Sequence, residues 1–157
     1  MTPLSWVRAG VAGLAGGIMW RLGLIFIFGP AQSILADPER QSAKMLAVFS
    51  ADPPMPRMYE APWLIWAGLL SIGLVWGLAY AWMSHGWAVA WWRRGLRFGL
   101  LSWLLMVPWF EFYLPWNVLR EPAALVLLEL FCWAGVLLLV GVTIAGVEAA
   151  LNRRKAA

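Results

Sequence analysis

The chain has one cysteine, Cys132, and one histidine, His85, among 157 residues. A single cysteine excludes an internal disulfide and leaves the redox compartment open. Two such ligands, far apart in the sequence, fall short of the three or four that a zinc site needs, so no metal is expected. Charge is scarce as well. Charged residues make up 13% of the chain and hydrophobic ones 62%, whereas soluble domains run at about 25% and about 45–50%. That balance excludes an ordinary soluble domain. The net charge of +4 does not signal nucleic acid, because the basic residues flank apolar runs and form no patch of their own. The glycines follow helix-packing spacing and not the pattern of a phosphate-cradling loop. No serine–histidine, cysteine–histidine or paired-acid motif stands in an active-site context, so the chain reads as non-catalytic.

What the chain does have is apolar length and 13 tryptophans, a composition suited to much surface at lipid headgroups. Trp6 to Phe28 is 23 residues, roughly 34 Å as a helix and enough to cross a hydrocarbon core. It is too long for the apolar core of a signal peptide, and the first helix is expected to be retained. Further spans are expected at 62–83, 90–112 and 122–150. Pro62 and Pro122 suit first helical positions; Gly29-Pro30 reads as a stop, Pro108 as a kink or a stop, and Pro115 and Pro122 bracket the turn before the fourth span. Gly13 and Gly17 on the first span, with Gly73 and Gly77 on the second, form small-residue rows that let helices approach closely.

Between the first two spans, Asp37-Pro38-Glu39 reads as a helix start, with an N-cap, a proline and an acid in the first turn. A short amphipathic helix over 38–50 is expected there, lying on the membrane surface in the first outer loop. Asp52-Pro53-Pro54-Met55-Pro56 reads as a stiff extended connector. Four spans put both termini on one side. That side holds seven basic residues (Arg8, Arg93, Arg94, Arg97, Arg153, Arg154, Lys155) against four on the other. The imbalance predicts cytoplasmic termini in a bacterial inner membrane.

Ile34-Leu35-Ala36-Asp37-Pro38 parallels Val118-Leu119-Arg120-Glu121-Pro122, and in that register Phe26 and Phe28 fall on Phe110 and Phe112. The chain reads as one membrane domain, 1–157, and the parallel admits two readings: a 2+2 helix repeat of 1–83 and 90–150 inserted the same way, or a chance likeness between low-complexity apolar segments.

Three charges stand out from the apolar runs: Arg21, Glu111 and Glu129. Arg21 and Glu129 each lie ~10 Å from the same end of their helices, and Glu111 reaches the same region. A carboxylate in a membrane helix persists only where something offsets its cost. An Arg21–Glu111–Glu129 cluster is the candidate polar pocket, either as an ion pair fixing helix register or as a site for a proton, ion or headgroup. His85 is the one residue able to ligate a haem or chlorophyll-type macrocycle. Its place at a helix end argues against that, so no cofactor is expected. Cys132 reads as inert packing, and Glu148 as a partner of the terminal basic residues.

The fold expected is all-α: four transmembrane helices with one surface helix. The leading function is an accessory or assembly subunit of a membrane complex, or a self-associating membrane protein, whose partners are lipid and other subunits or itself. The alternative is a small transporter, channel or ligand-binding sensor built on the Arg/Glu cluster.

Overall fold

The computed structural model describes residues 3–48 and 57–153, which are helical with no strand among them. Four helices are long and apolar enough to span a membrane: α1 (Ser5–Leu35), α2 (Trp63–Gly86), α3 (Trp91–Val118) and α4 (Ala123–Arg153). The connector at 52–56, the last residues of the expected surface helix (49–50), and Arg154 and Lys155 lie outside the described residues.

Two helices run on where proline was expected to end them. α1 passes through Pro30 to Leu35 by way of a π turn, Leu24–Phe28, after which the Gly29 N–H bonds back to the Leu24 carbonyl. A proline lacks the N–H and crowds the carbonyl four residues back. The π turn has already shifted the hydrogen-bond register at that point, so the helix absorbs the ring. α3 uses the same device. It contains Pro108, continues past 112 through the π turn Phe112–Val118 around Pro115, and closes with Leu119 N–H on Leu114 O at 2.9 Å.

The expected surface helix over 38–50 is not one helix. Asp37 Oδ1 does accept the Glu39 N–H at 3.0 Å, but the chain makes only a turn there. A four-residue helix, Ala43–Leu46, then starts from a second cap, Ser42, whose Oγ accepts from Met45 N–H at 3.0 Å. Two caps so close together leave neither helix long enough to propagate by itself, and the polar side chains between them are engaged elsewhere in the fold.

The helices pack in the order α2–α1–α4–α3. Two crossings are made through glycine. A Cβ on Gly73 would lie 2.5 Å from Gly13 O and 2.7 Å from Gly17 N, and one on Gly17 would meet Leu69 O at 2.5 Å. The α3–α4 crossing repeats these two contacts. A Cβ on Gly141 would meet Gly95 O and lie 2.8 Å from Gly99 N, and one on Gly99 would meet Leu137 O at 2.5 Å. Backbones this close exclude any side chain between them. The four glycines of the first crossing thus serve the contact between α1 and α2. On its other face, α1 sets Gly16 against Ile144 and Gly23 against Val136 of α4.

Tryptophan does more here than line the lipid surface. A chain of rings crosses the interior: Phe28–Trp133 at 4.9 Å, Trp133–Trp20 at 6.0 Å, Trp20–Trp76 at 4.9 Å, Trp76–Phe98 at 6.1 Å and Phe98–Tyr80 at 5.4 Å. It touches all four helices and closes the gap between α2 and α3. Arg8 Nη1 donates to Asn152 Oδ1 at 2.9 Å, joining the first turns of α1 to the last turn of α4. That end is called the terminal end, and the opposite one the loop end.

Candidate functional site

The loop end is organised by the turn that follows the π segment of α3. Glu121 N–H bonds to Pro115 O at 2.9 Å, and Arg120 takes a left-handed backbone with φ 59°. Together they turn the Glu121 side chain inward, where it is 2% exposed. Gln41 Nε2 donates to Glu121 Oε1 at 2.9 Å and also to the Leu35 carbonyl. Ser42 Oγ donates to Leu119 O at 2.6 Å. The α1–α2 loop is thereby clasped onto the α3–α4 loop. Burial holds the Glu121 carboxyl above the usual carboxylate range, opposed by the bond from Gln41.

Beneath this clasp lie the two glutamates singled out in the sequence. Glu111 sits on the last regular turn of α3 and is 1% exposed. Its carboxyl faces that of Glu129 on α4, within hydrogen-bonding reach, and the Trp133 indole lies within reach as well. Glu111 Oε2 is buried without a partner. An ionised carboxylate only accepts hydrogen bonds, so two carboxyls can be joined by one only when a proton sits between them.

Glu111 also lies in the walls of two apolar crevices. One, of about 210 Å³, is lined by Trp20, Met106, Val107, Phe110, Trp133 and Leu137 besides Glu111. The other, of about 320 Å³, lies between α3 and α4 and is lined by residues including Pro108, Trp116, Val126 and Leu127. Met106, Phe110, Trp116 and Leu127 are exposed on the outer surface of the bundle, so both crevices border the lipid face. Trp20 Nε1 is a buried donor without a partner.

Arg21 does not join the glutamates. Among the described residues the ion pair formed is Arg40–Asp37, at 2.9 Å in the α1–α2 loop. The reason is helical phase. Arg21 follows Gly13 and Gly17 along the α2-facing row of α1, whereas Gly16 and Gly23 face α4, and the glutamates lie on α3 and α4. Trp20, one position earlier, takes the place by the carboxyls.

His85 stands at the terminal end, exposed, in the 3₁₀ turn Ser84–Gly86. It borders a polar cavity that also holds Arg8, Arg94 and Glu148. Glu148 therefore belongs to this cavity, and Cys132 is buried in the core. Among the described residues no three potential metal ligands come together. Sequence reasoning missed the burial of Glu121 and its Gln41–Ser42 clasp. The Glu129–Trp133 spacing of one helical turn was the signal that could have placed an indole beside the carboxyl pair.

No family model, no curated protein and no solved structure matches this chain.

Proposed function

We propose that the chain is a non-catalytic integral membrane protein that binds a lipophilic organic cation, with Glu111 and Glu129 as its counter-charge. The observation that carries this reading is the fully buried Glu111 carboxyl, facing Glu129 without a basic side chain paired to it among the described residues, at the border of crevices open to lipid. An apolar crevice with a few convergent polar groups is the usual form of a small-molecule site. A charged residue at membrane depth costs about 2.5–3.5 kcal/mol on insertion scales, and an incoming cation offsets that cost. The shared proton leaves as the cation arrives, which makes the protein a proton-linked carrier or sensor. The basic-residue imbalance orients it with both termini in the cytoplasm of a bacterial inner membrane.

The test is titration of the detergent-purified protein with tetraphenylphosphonium and with dodecylamine, followed by quenching of tryptophan fluorescence. Saturable binding that weakens as the pH falls is expected, with binding lost in Glu111→Gln. Absence of saturable binding by either compound between pH 5 and pH 9 overturns the reading, as does wild-type affinity in Glu111→Gln.

A second reading, an accessory or self-associating subunit, draws on a stacked aromatic face at the loop end of α3. Trp109 and Tyr113 stack at 5.8 Å, Phe112 and Trp116 lie 5.3 Å apart, and all four are exposed. The glycine rows lend it no support, since they are used up inside the bundle. Stoichiometric co-purification with a larger complex from native membranes is its test.

A further inference from the structure

The terminal end holds a second cavity, of about 250 Å³, quite unlike the crevices beside Glu111. All four helices contribute to it: Arg8 from α1, Ser84 and His85 from α2, Arg94 from α3, Glu148 and Asn152 from α4. Its polar groups are unevenly satisfied. The Arg8 guanidinium is held in place by Asn152 Oδ1 at 2.9 Å. Arg94 Nε is a buried donor with no partner, and Glu148 Oε2 a buried acceptor with no partner. Arg94 and Glu148 do not pair with each other, although they line one cavity. A buried donor and a buried acceptor left open in one cavity each carry a desolvation penalty. A ligand that accepts at one point and donates at another removes both.

We propose that this cavity binds the headgroup of a glycerophospholipid, with the phosphodiester on Arg8 and Arg94 and a terminal hydroxyl or ammonium donor on Glu148. Guanidinium is the side chain best matched to phosphate oxygens. The setting fits as well: Trp87 lines the same cavity and His85 is exposed at its rim, while Arg93 and Trp92 lie beside it in a cation–π contact at 5.0 Å. Aromatic and basic residues together mark headgroup depth, and basic pockets between membrane helices take up phosphate headgroups. Glu148 adds selectivity. A phosphodiester ending in a quaternary ammonium has no donor for its carboxylate, whereas glycerol and ethanolamine heads have one.

The experiment is native mass spectrometry and thermal melting of the full chain in a mild detergent, with dioleoyl phosphatidylglycerol, phosphatidylethanolamine or phosphatidylcholine added, or inorganic phosphate. Phosphatidylglycerol and phosphatidylethanolamine should each give a one-to-one adduct and raise the melting temperature, at least tenfold more tightly than phosphatidylcholine. Arg94→Gln should lose the adduct. Glu148→Gln should keep phosphate binding but narrow the preference over phosphatidylcholine to about twofold, a readout that survives if the arginine variant folds poorly. Equal binding of all three lipids by the wild type overturns the proposal, as does an unchanged preference in Glu148→Gln. Stabilisation by inorganic phosphate matching that of the lipids assigns the cavity to a free anion instead, and also overturns it.

Discussion

Gln41 and Glu121, 80 positions apart in the chain, are joined by a 2.9 Å hydrogen bond that pins the α1–α2 loop to the α3–α4 loop. Gln41 bonds Leu35 O as well, so one side chain ties the end of α1 to the start of α4. Removing it in Gln41→Ala leaves a buried carboxyl with neither oxygen satisfied, since Oε2 already lacks a partner. A loss of about 1–3 kcal/mol is expected, readable as a lower midpoint in denaturant.

The same carboxyl sets a pH dependence. Burial raises the folded pKa of Glu121 above its value in the unfolded chain, so the folded state holds the proton more tightly. Its contribution to stability is then fully present below the unfolded pKa and is lost as the pH rises through the folded one. The groups that face it are Gln41 from the first loop, with Glu111 of α3 and Glu129 of α4 close enough to feel its charge. Glu121→Gln keeps an acceptor for Gln41 but cannot ionise. The variant should match the wild type at pH 4 and exceed it in melting temperature at pH 8. A variant trailing the wild type by more at pH 8 than at pH 4 would reverse the sign assigned here.

The glycine crossings predict a matched pair of effects. Gly73→Ala and Gly141→Ala each force a methyl group against the backbone of the facing helix, and overpacking of this kind typically costs about 1–3 kcal/mol. Gly68, also on α2, has open space around the same position, so Gly68→Ala should be neutral or slightly stabilising. Equilibrium unfolding in mixed micelles separates the cases. Equal tolerance of all three substitutions would mean that the crossings are loose.

The parts of this fold legible from sequence are those governed by local periodicity. Four apolar runs gave four spans, and the spacing of Gly13, Gly17, Gly73 and Gly77 found the α1–α2 contact because small residues at helical spacing have few other uses. The expected partnership of Arg21 with the glutamates failed because depth was matched without the helical phase that separates the α2 face of α1 from its α4 face. Pro30 and Pro115 misled for a different reason. The π turns at Leu24–Phe28 and Phe112–Val118 shift the hydrogen-bond register where these two rings fall, so both helices run on past them. The Gln41–Glu121 clasp and the Arg94–Glu148 cavity join residues far apart in sequence, and no period in one segment announces such contacts. The repeat has a related subtlety. The loop motif recurs at a shift of 84, whereas Gly13 and Gly17 correspond to Gly95 and Gly99 at 82, so no single register aligns both.

The ring chain through the core gives a sharper contrast. Trp76 is 9% exposed and touches Trp20 and Phe98, while Trp82 on the same helix is 73% exposed. Trp76→Ala should cost about 3–5 kcal/mol through the cavity it leaves. Trp82→Ala should stay within about 0.5 kcal/mol, as surface substitutions do. Unfolding midpoints measured in one detergent decide between core and surface roles for these two residues.

Arg21 and Glu129 supply the last test, because two arrangements of the same charges predict opposite outcomes. Were they a buried ion pair, removing either one would strand the other in low dielectric, and Arg21→Gln/Glu129→Gln would be less damaged than the sum of its parts. With Arg21 on the α2 face of α1 and Glu129 facing Glu111, the two share no partner. Their effects should add to within about 0.3–0.5 kcal/mol. Glu111→Gln combined with Glu129→Gln should depart from additivity instead, since the two carboxyls face each other across the α3–α4 seam. Binding of tetraphenylphosphonium should follow the same division, insensitive to Arg21→Gln and lost with Glu111. A coupling energy above 1 kcal/mol between Arg21 and Glu129 would restore the ion pair and remove the free carboxyl on which the ligand site depends.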